Sequence, residues 1–134
     1  MFRHHPYFIP VVPSIAPFSF GDAAVNAGKI VQQNCLVTDG DEPLNITWTL
    51  NGGDASASTG INVFKLGSRT SILTIESVRA YHAGSYTCTA SNSAGNSSYT
   101  ARLAVNGIRL KQLSLSIKVV SPLLLWIYIY IYIA

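Results

Sequence analysis

Residues Leu73 to Gly95 read LTIESVRAYHAGSYTCTASNSAG. Leu73 and Ile75 share one parity, and Val78 closes the run. Tyr86, Cys88 and Ala90 share one parity in the next run. Period two with one apolar face describes a strand that covers half of a core. Ser93-Ala94-Gly95-Asn96 then marks a turn into a final run carrying Ala101, Leu103 and Val105. The same period appears upstream in Val31, Gln33, Cys35 and Val37, and in Ile46, Trp48 and Leu50. Asn51-Gly52-Gly53 is a tight-turn signal, and the small polar residues Asp54 to Gly60 read as a loop. From Ile15 to Val105 there is no helical stripe of useful length. About seven short strands in so short a stretch predict an all-β, two-sheet sandwich rather than a barrel with a cavity.

The cysteines sharpen this reading. Cys35 and Cys88 lie 53 positions apart, with Trp48 13 residues after the first and Tyr86 two before the second. Two free thiols in a cytosolic β protein are the bland alternative. A Trp packed on an inter-sheet disulfide, with Tyr two residues before the second Cys, is the immunoglobulin constellation. In the chain-entropy model a bridge closing so long a loop contributes roughly 4 kcal/mol. On this reading Trp48, Tyr86 and Leu73 belong to the core, and the Tyr86 hydroxyl bonds backbone at the turn approaching its strand.

The motifs carry a narrower resemblance. L-x-I-x-x-V, then a G-x-Y-x-C run, then A-x-N-x-x-G are all present between Leu73 and Gly95. They resemble an I-set immunoglobulin domain with Greek-key topology. PSIAPFSFGD at Pro13–Asp22, GDEPLNITWTLNG at Gly40–Gly52 and SILTIESVRAYHAGSYTC at Ser71–Cys88 resemble the arthropod Down syndrome cell adhesion molecule (Dscam) family. The resemblance covers Pro13 to Val105. It implies an extracellular domain, part of a larger membrane receptor, engaged in homophilic recognition between cells. A secreted immune-recognition binder and a structural spacer domain are the alternatives.

Two positions depart from the family pattern. His82 stands where an I-set domain usually opens its motif with Asp, so the usual pairing of that Asp with a basic residue is in doubt. His82 is expected to be an exposed turn residue. Gln33, two residues before Cys35, replaces an apolar residue. A buried amide without partners costs about 1–3 kcal/mol. Either Gln33 finds backbone partners near the sandwich end, or the domain is less stable than its relatives.

A structural disulfide belongs to an oxidising compartment. Two glycosylation triplets agree with that, Asn45-Ile46-Thr47 and Asn96-Ser97-Ser98. Both asparagines are expected on the sheet that carries Trp48 and Cys88, Asn45 pointing outward from its strand and Asn96 at the turn into the last strand. The opposite sheet holds the Cys35 and Leu73 strands. Its outward residues by parity are Ile30, Gln32 and Asn34, then Ile72, Thr74 and Glu76. Scattered surface isoleucines are ordinary. The resemblance makes this set a candidate homophilic face, with Glu76 and Lys65 supplying charge matching and Ile72→Arg expected to weaken self-association while leaving the fold intact.

The chain of 134 residues fits one domain, and the charge divides unevenly along it. The whole carries a formal charge of +3. From Pro13 to Val105, Lys29, Lys65, Arg69, Arg79 and Arg102 stand against Asp22, Asp39, Asp41, Glu42, Asp54 and Glu76, a balance of −1. Arg3, Arg109, Lys111 and Lys118 lie outside, unopposed. No basic stripe with interleaved aromatics runs through the middle, so no nucleic-acid partner is expected. Residues 1–12 are expected to be unstructured, residues 13–105 to form the domain, and residues 106–134 to be a hydrophobic tail outside it. Residues 1–12 hold Pro6, Pro10 and the pair His4-His5, without a secretory signal. Val119 to Ala134 carry no charge and end in alternating Ile and Tyr. That run is short for a membrane-spanning helix, which needs about 20 apolar residues. Translated non-coding sequence, a tail anchor and an aggregation-prone tail all remain open for it.

Catalysis needs a nucleophile, base or metal held in a pocket. No Ser-His-carboxylate set, phosphate-binding loop or paired acids stand at a useful spacing. Asp39, Asp41 and Glu42 read as a solvated turn rather than a calcium site. The expectation is a binding module with a protein partner, no enzyme activity, no cofactor, no metal and no small-molecule substrate.

Overall fold

The computed structural model describes residues 9–107. The strands, in chain order, are β1 (Ser14–Ile15), β2 (Val25–Asn26), β3 (Val31–Asp39), β4 (Asn45–Leu50) and β5 (Gly53–Asp54). They continue as β6 (Ile61–Leu66), β7 (Thr70–Ile75), β8 (Gly84–Asn92), β9 (Gly95–Leu103) and β10 (Val105–Asn106). Single 3-10 turns occupy Ala55–Ala57 and Ala80–His82. The first sheet runs β1-β3-β7-β6 and the second β5-β4-β8-β9, all antiparallel. β10 pairs with β2 in parallel.

The five runs found by parity are β3, β4, β7, β8 and β9. Of the six strands of six residues or more, β6 is the one that the parity reading did not name. Ile61 and Val63 of β6 lie opposite the inward Ile75 and Leu73, whereas Phe64 lies opposite the outward Ile72. Leu66, on the outward parity too, lies opposite Thr70. Apolar residues on both parities erase the period-two signal that marks a half-buried strand.

The turns follow local chemistry. Asn51-Gly52 joins β4 to β5 with φ of 50° and 87°, the positive values that a two-residue type I′ hairpin requires. At the β8–β9 turn, Asn92 Oδ1 accepts from the backbone N–H groups of Ala94 (2.9 Å) and Gly95 (3.2 Å). In the expected loop from Asp54, the Asp54 carboxylate caps the Ala55–Ala57 turn by accepting from Ser56 N–H.

The two sheets enclose a core of Val31, Cys35, Trp48, Ile61, Leu73, Ile75, Val78, Tyr86, Cys88 and Leu103. Cys35 and Cys88 form the inter-sheet disulfide, with their Cα atoms 6.4 Å apart. Trp48 and Cys88 stand opposite each other in neighbouring strands. The Trp48 indole N–H is satisfied by the buried Ser71 hydroxyl at 3.1 Å, so the ring enters the core without an orphaned donor.

The segment between β1 and β2 fills the side of the sandwich. The Phe18 ring lies 5.2 Å from Trp48 and 5.0 Å from Tyr99, and Phe20 lies 5.2 Å from Tyr86. This segment also supplies the answer for Gln33. The Gln33 side-chain amide donates to the Ser19 carbonyl at 2.8 Å, while its carbonyl accepts from Asn34 N–H at 3.1 Å. The amide therefore has backbone partners in its half-buried position.

Val11, before the expected domain edge at Pro13, makes hydrogen bonds to the domain. Val11 N–H donates to the Asp41 carboxylate at 2.8 Å, and its carbonyl accepts from Asp41 N–H at 3.1 Å and from the Asn92 amide at 2.7 Å. Gly40 makes the close approach possible. A Cβ there would meet Pro13 Cα at 2.7 Å, and its φ of 116° disfavours other residues. The pair His4-His5 and the tail beyond Gly107 lie outside the described residues.

Candidate functional site

The corner before β8 carries the first correction. His82 was expected on the surface, yet it is buried, with 1% of its area exposed. Its Nδ1 accepts from Arg79 N–H at 2.9 Å, and its Nε2 lies 2.7 Å from the Thr59 carbonyl. With Nδ1 accepting, Nε2 must carry the proton and donate, so the network assigns a neutral ring. An imidazole therefore takes the capping role open to a carboxylate and adds a donor that ties down the loop before β6. The loop can come close because residue 60 is glycine, whose missing Cβ would sit 3.3 Å from Nε2. The Tyr86 hydroxyl donates to the His82 carbonyl at 2.5 Å, as expected of a tyrosine corner. Burial pushes the Tyr86 hydroxyl up to a pKa of about 12.

The two outer faces differ in chemistry. On the first sheet, register sets Gln32, Thr74 and Asn62 in one row, and Asn34, Ile72 and Phe64 in the next. Leu36, Thr70 and Leu66 form a third row. Leu36, Phe64 and Leu66 are exposed by 44%, 50% and 62%. Ile30, beyond the Gln32 row, is also exposed, as is Glu76. Ile72 is the second correction. It has the expected outward parity, but only 7% of it is exposed. β7 is a central strand, and residues directly opposite have Cβ atoms about 5 Å apart, so Asn34 and Phe64 flank Ile72 from both sides. The candidate face of Ile30, Gln32, Asn34, Thr74 and Glu76 thus surrounds a covered isoleucine. Its exposed apolar surface comes from Ile30, which the sequence reading named, and from Leu36, Phe64 and Leu66, which it missed. The β-branched and aromatic residues within Ile61–Leu66 and the turn at Gly67-Ser68 were the available signals.

Lys65 does not share the outer face with Glu76. It has inward parity, opposite Ser71, and its Nζ reaches the Leu44 carbonyl at 3.2 Å. The carboxylates of the Asp39–Glu42 turn are also engaged. Asp39 accepts from Gly40 N–H at 2.9 Å, Asp41 accepts from Val11 N–H, and Glu42 lies 3.9 Å from the Arg69 guanidinium. These are turn and end contacts, not three ligands aimed at one point.

The second sheet presents hydroxyls. Thr47, Thr89 and Ser98 form one row, and Thr49, Thr87 and Thr100 another. Thr87 and Thr100 hydroxyls are 2.7 Å apart, and those of Thr89 and Ser98 2.9 Å. Asn45 and Asn96 lie on this sheet, on the outward parity, and both are exposed.

Residues 13–92 match the family described as "Immunoglobulin domain". The chain belongs to that family. The immunoglobulin domain is 44% identical over 99 residues to the cell adhesion molecule Dscam1 of Drosophila melanogaster, covering 73% of this chain and 5% of that protein. The chain thus spans a small part of the relatives that it matches. Among solved structures, the Dscam1 Ig7 domain, isoform 5, is similar at a TM-score of 0.68 and 46% identity, covering 72% of this chain and 97% of that one. An I-band fragment of titin is similar at a TM-score of 0.63 and 30% identity, covering 74% of this chain and 33% of that one. The immunoglobulin domain is therefore Dscam-like, as the motifs of the sequence implied. These relatives are adhesion molecules and immunoglobulin modules, which are not enzyme classes.

Proposed function

We propose that this immunoglobulin domain serves homophilic recognition between cells, outside the cell and within a larger Dscam-like membrane receptor. The partner is a second copy of the domain, met through the outer face of β1-β3-β7-β6. The observation that carries the reading is the placement of Leu36, Phe64 and Leu66, three exposed apolar residues in adjoining rows of one sheet. An apolar centre with a polar rim is the usual anatomy of a protein–protein contact. Gln32, Asn34, Thr74 and Asn62 supply the rim. Exposed polar groups around an apolar centre also allow mismatched partners to be rejected, which self-preference requires.

Beads coated with the receptor ectodomain carrying this domain should aggregate with each other, and Phe64→Arg should abolish aggregation. Aggregation that persists in Phe64→Arg removes the first sheet from the proposal. A spacer role is the second reading, and one observation favours it. Val11 is held beside Asp41, after the end of β3, whereas Val105 pairs with Val25, before its start. The chain enters and leaves at opposite ends of a strand about 30 Å long, as a domain strung in an array would. Monomeric sedimentation at high concentration would select the spacer over the adhesive role.

A further inference from the structure

The sequence holds two Asn-x-Ser/Thr triplets, and the fold brings their asparagines into a single row. Asn45 stands opposite Ser91, and Ser91 stands opposite Asn96. One strand, β8, separates them, which sets their backbones about 10 Å apart. Both side chains are exposed, and neither makes a hydrogen bond among the described residues. The residue between them is the small Ser91. The first sheet offers a contrast. Asn34 and Asn62 also have outward parity there, but Asn34-Cys35-Leu36 and Asn62-Val63-Phe64 lack the required hydroxyl residue. Glycosylation signals are thus confined to the face without exposed large apolar residues.

We propose that Asn45 and Asn96 form one paired N-glycosylation site, whose two oligosaccharides crowd each other and close the second sheet to protein docking. The proposal rests on display of the domain through the secretory pathway, which the disulfide supports. The donor is an oligosaccharide joined to a polyprenyl diphosphate. The asparagine amide nitrogen bonds to the anomeric carbon of the first sugar. The carbon–oxygen bond to the diphosphate breaks, polyprenyl diphosphate leaves with the electron pair, and the amide gives up one proton. No oxidation or reduction occurs. The hydroxyls of Thr47 and Ser98 complete the two triplets. Once folded, β4 and β9 aim both products away from the core. The polar rows Thr47-Thr89-Ser98 and Thr49-Thr87-Thr100 give the sugars hydroxyl partners along the same face.

The test expresses the full chain behind a secretion leader in eukaryotic cells and maps glycans by peptide mass spectrometry. Both asparagines should be occupied. Asn45→Gln and Asn96→Gln should each remove one glycan and the double variant both, with Ser98→Ala reproducing Asn96→Gln while the asparagine stays. The pairing is read from processing: the oligomannose fraction at Asn45 should fall at least twofold when Asn96 is bare. An unmodified asparagine at either position in the secreted folded protein overturns the site. Unchanged processing in the single variants overturns the pairing. Sedimentation after enzymatic removal of the glycans reads the homophilic proposal separately, since self-association through the first sheet should survive that treatment.

Discussion

The two sheets bury their inner faces against the same disulfide and the same tryptophan, yet their outer faces have little in common. The first sheet exposes Leu36, Phe64 and Leu66. The second exposes threonine and serine in cross-strand rows, with hydroxyl pairs at 2.7 and 2.9 Å. Stability does not require this difference, because either face could be polar without changing the core. A fold of this kind supplies the scaffold, and the residues that the core leaves unconstrained decide what the domain can meet.

The strongest test of this asymmetry places a charge on each face in turn. Phe64→Arg combined with Leu66→Arg should weaken self-association at least about tenfold without lowering the melting temperature, measured by sedimentation and a thermal melt. Thr89→Arg on the second sheet should leave self-association unchanged. Equal losses from both faces would erase the distinction. The sheets also differ in how they are anchored, and His82 tests the corner that starts β8. His82→Ala removes two hydrogen bonds and leaves a void, so chemical denaturation should read a loss of about 2–3 kcal/mol.

Alkaline pH loads the same corner without a substitution. The folded Tyr86 pKa, about 12, lies above the ordinary value of 10.0, so the unfolded chain ionises first. The stability from keeping this hydroxyl neutral is intact below pH 10 and is lost as pH rises toward 12. Unfolding free energies from denaturant titrations at constant salt should fall over that window by up to about 2–3 kcal/mol, and Tyr86→Phe should flatten the fall. Anchoring of the first sheet is weaker. Gln33→Val removes the bond to Ser19 and should lower stability by about 1 kcal/mol in a thermal melt. An increase would mean that the amide costs more to half-bury than its partners return. Thr87→Val, on the hydroxyl face, should shift stability by no more than about 0.5 kcal/mol by the same measurement.

Much of this was legible in the sequence because it is local. Cys35, Trp48, Tyr86 and Cys88 each occupy a core position fixed by parity within one strand, and the Asn51-Gly52 turn is set by two residues. What escaped depends on neighbours brought from elsewhere. The parity of Ile72 was right, but its exposure is decided by β3 and β6 on either side. Phe64 and Leu66 were hidden because β6 carries apolar residues on both parities. His82 was judged by the absence of the usual aspartate, and its burial depends on Thr59 and Gly60, more than twenty positions upstream.

The parallel pairing of β2 with β10 has a mechanical consequence. Val25 N–H bonds the Ala104 carbonyl at 2.8 Å, and Ala27 N–H bonds the Asn106 carbonyl at 2.9 Å. These strands run the same way, with the chain arriving before one and departing after the other. Tension applied along the chain slides the two strands past each other, so their bonds are strained in shear and must yield together rather than unzip one by one. A cell pulling on this domain would meet resistance set by that short seam before it reached the disulfide.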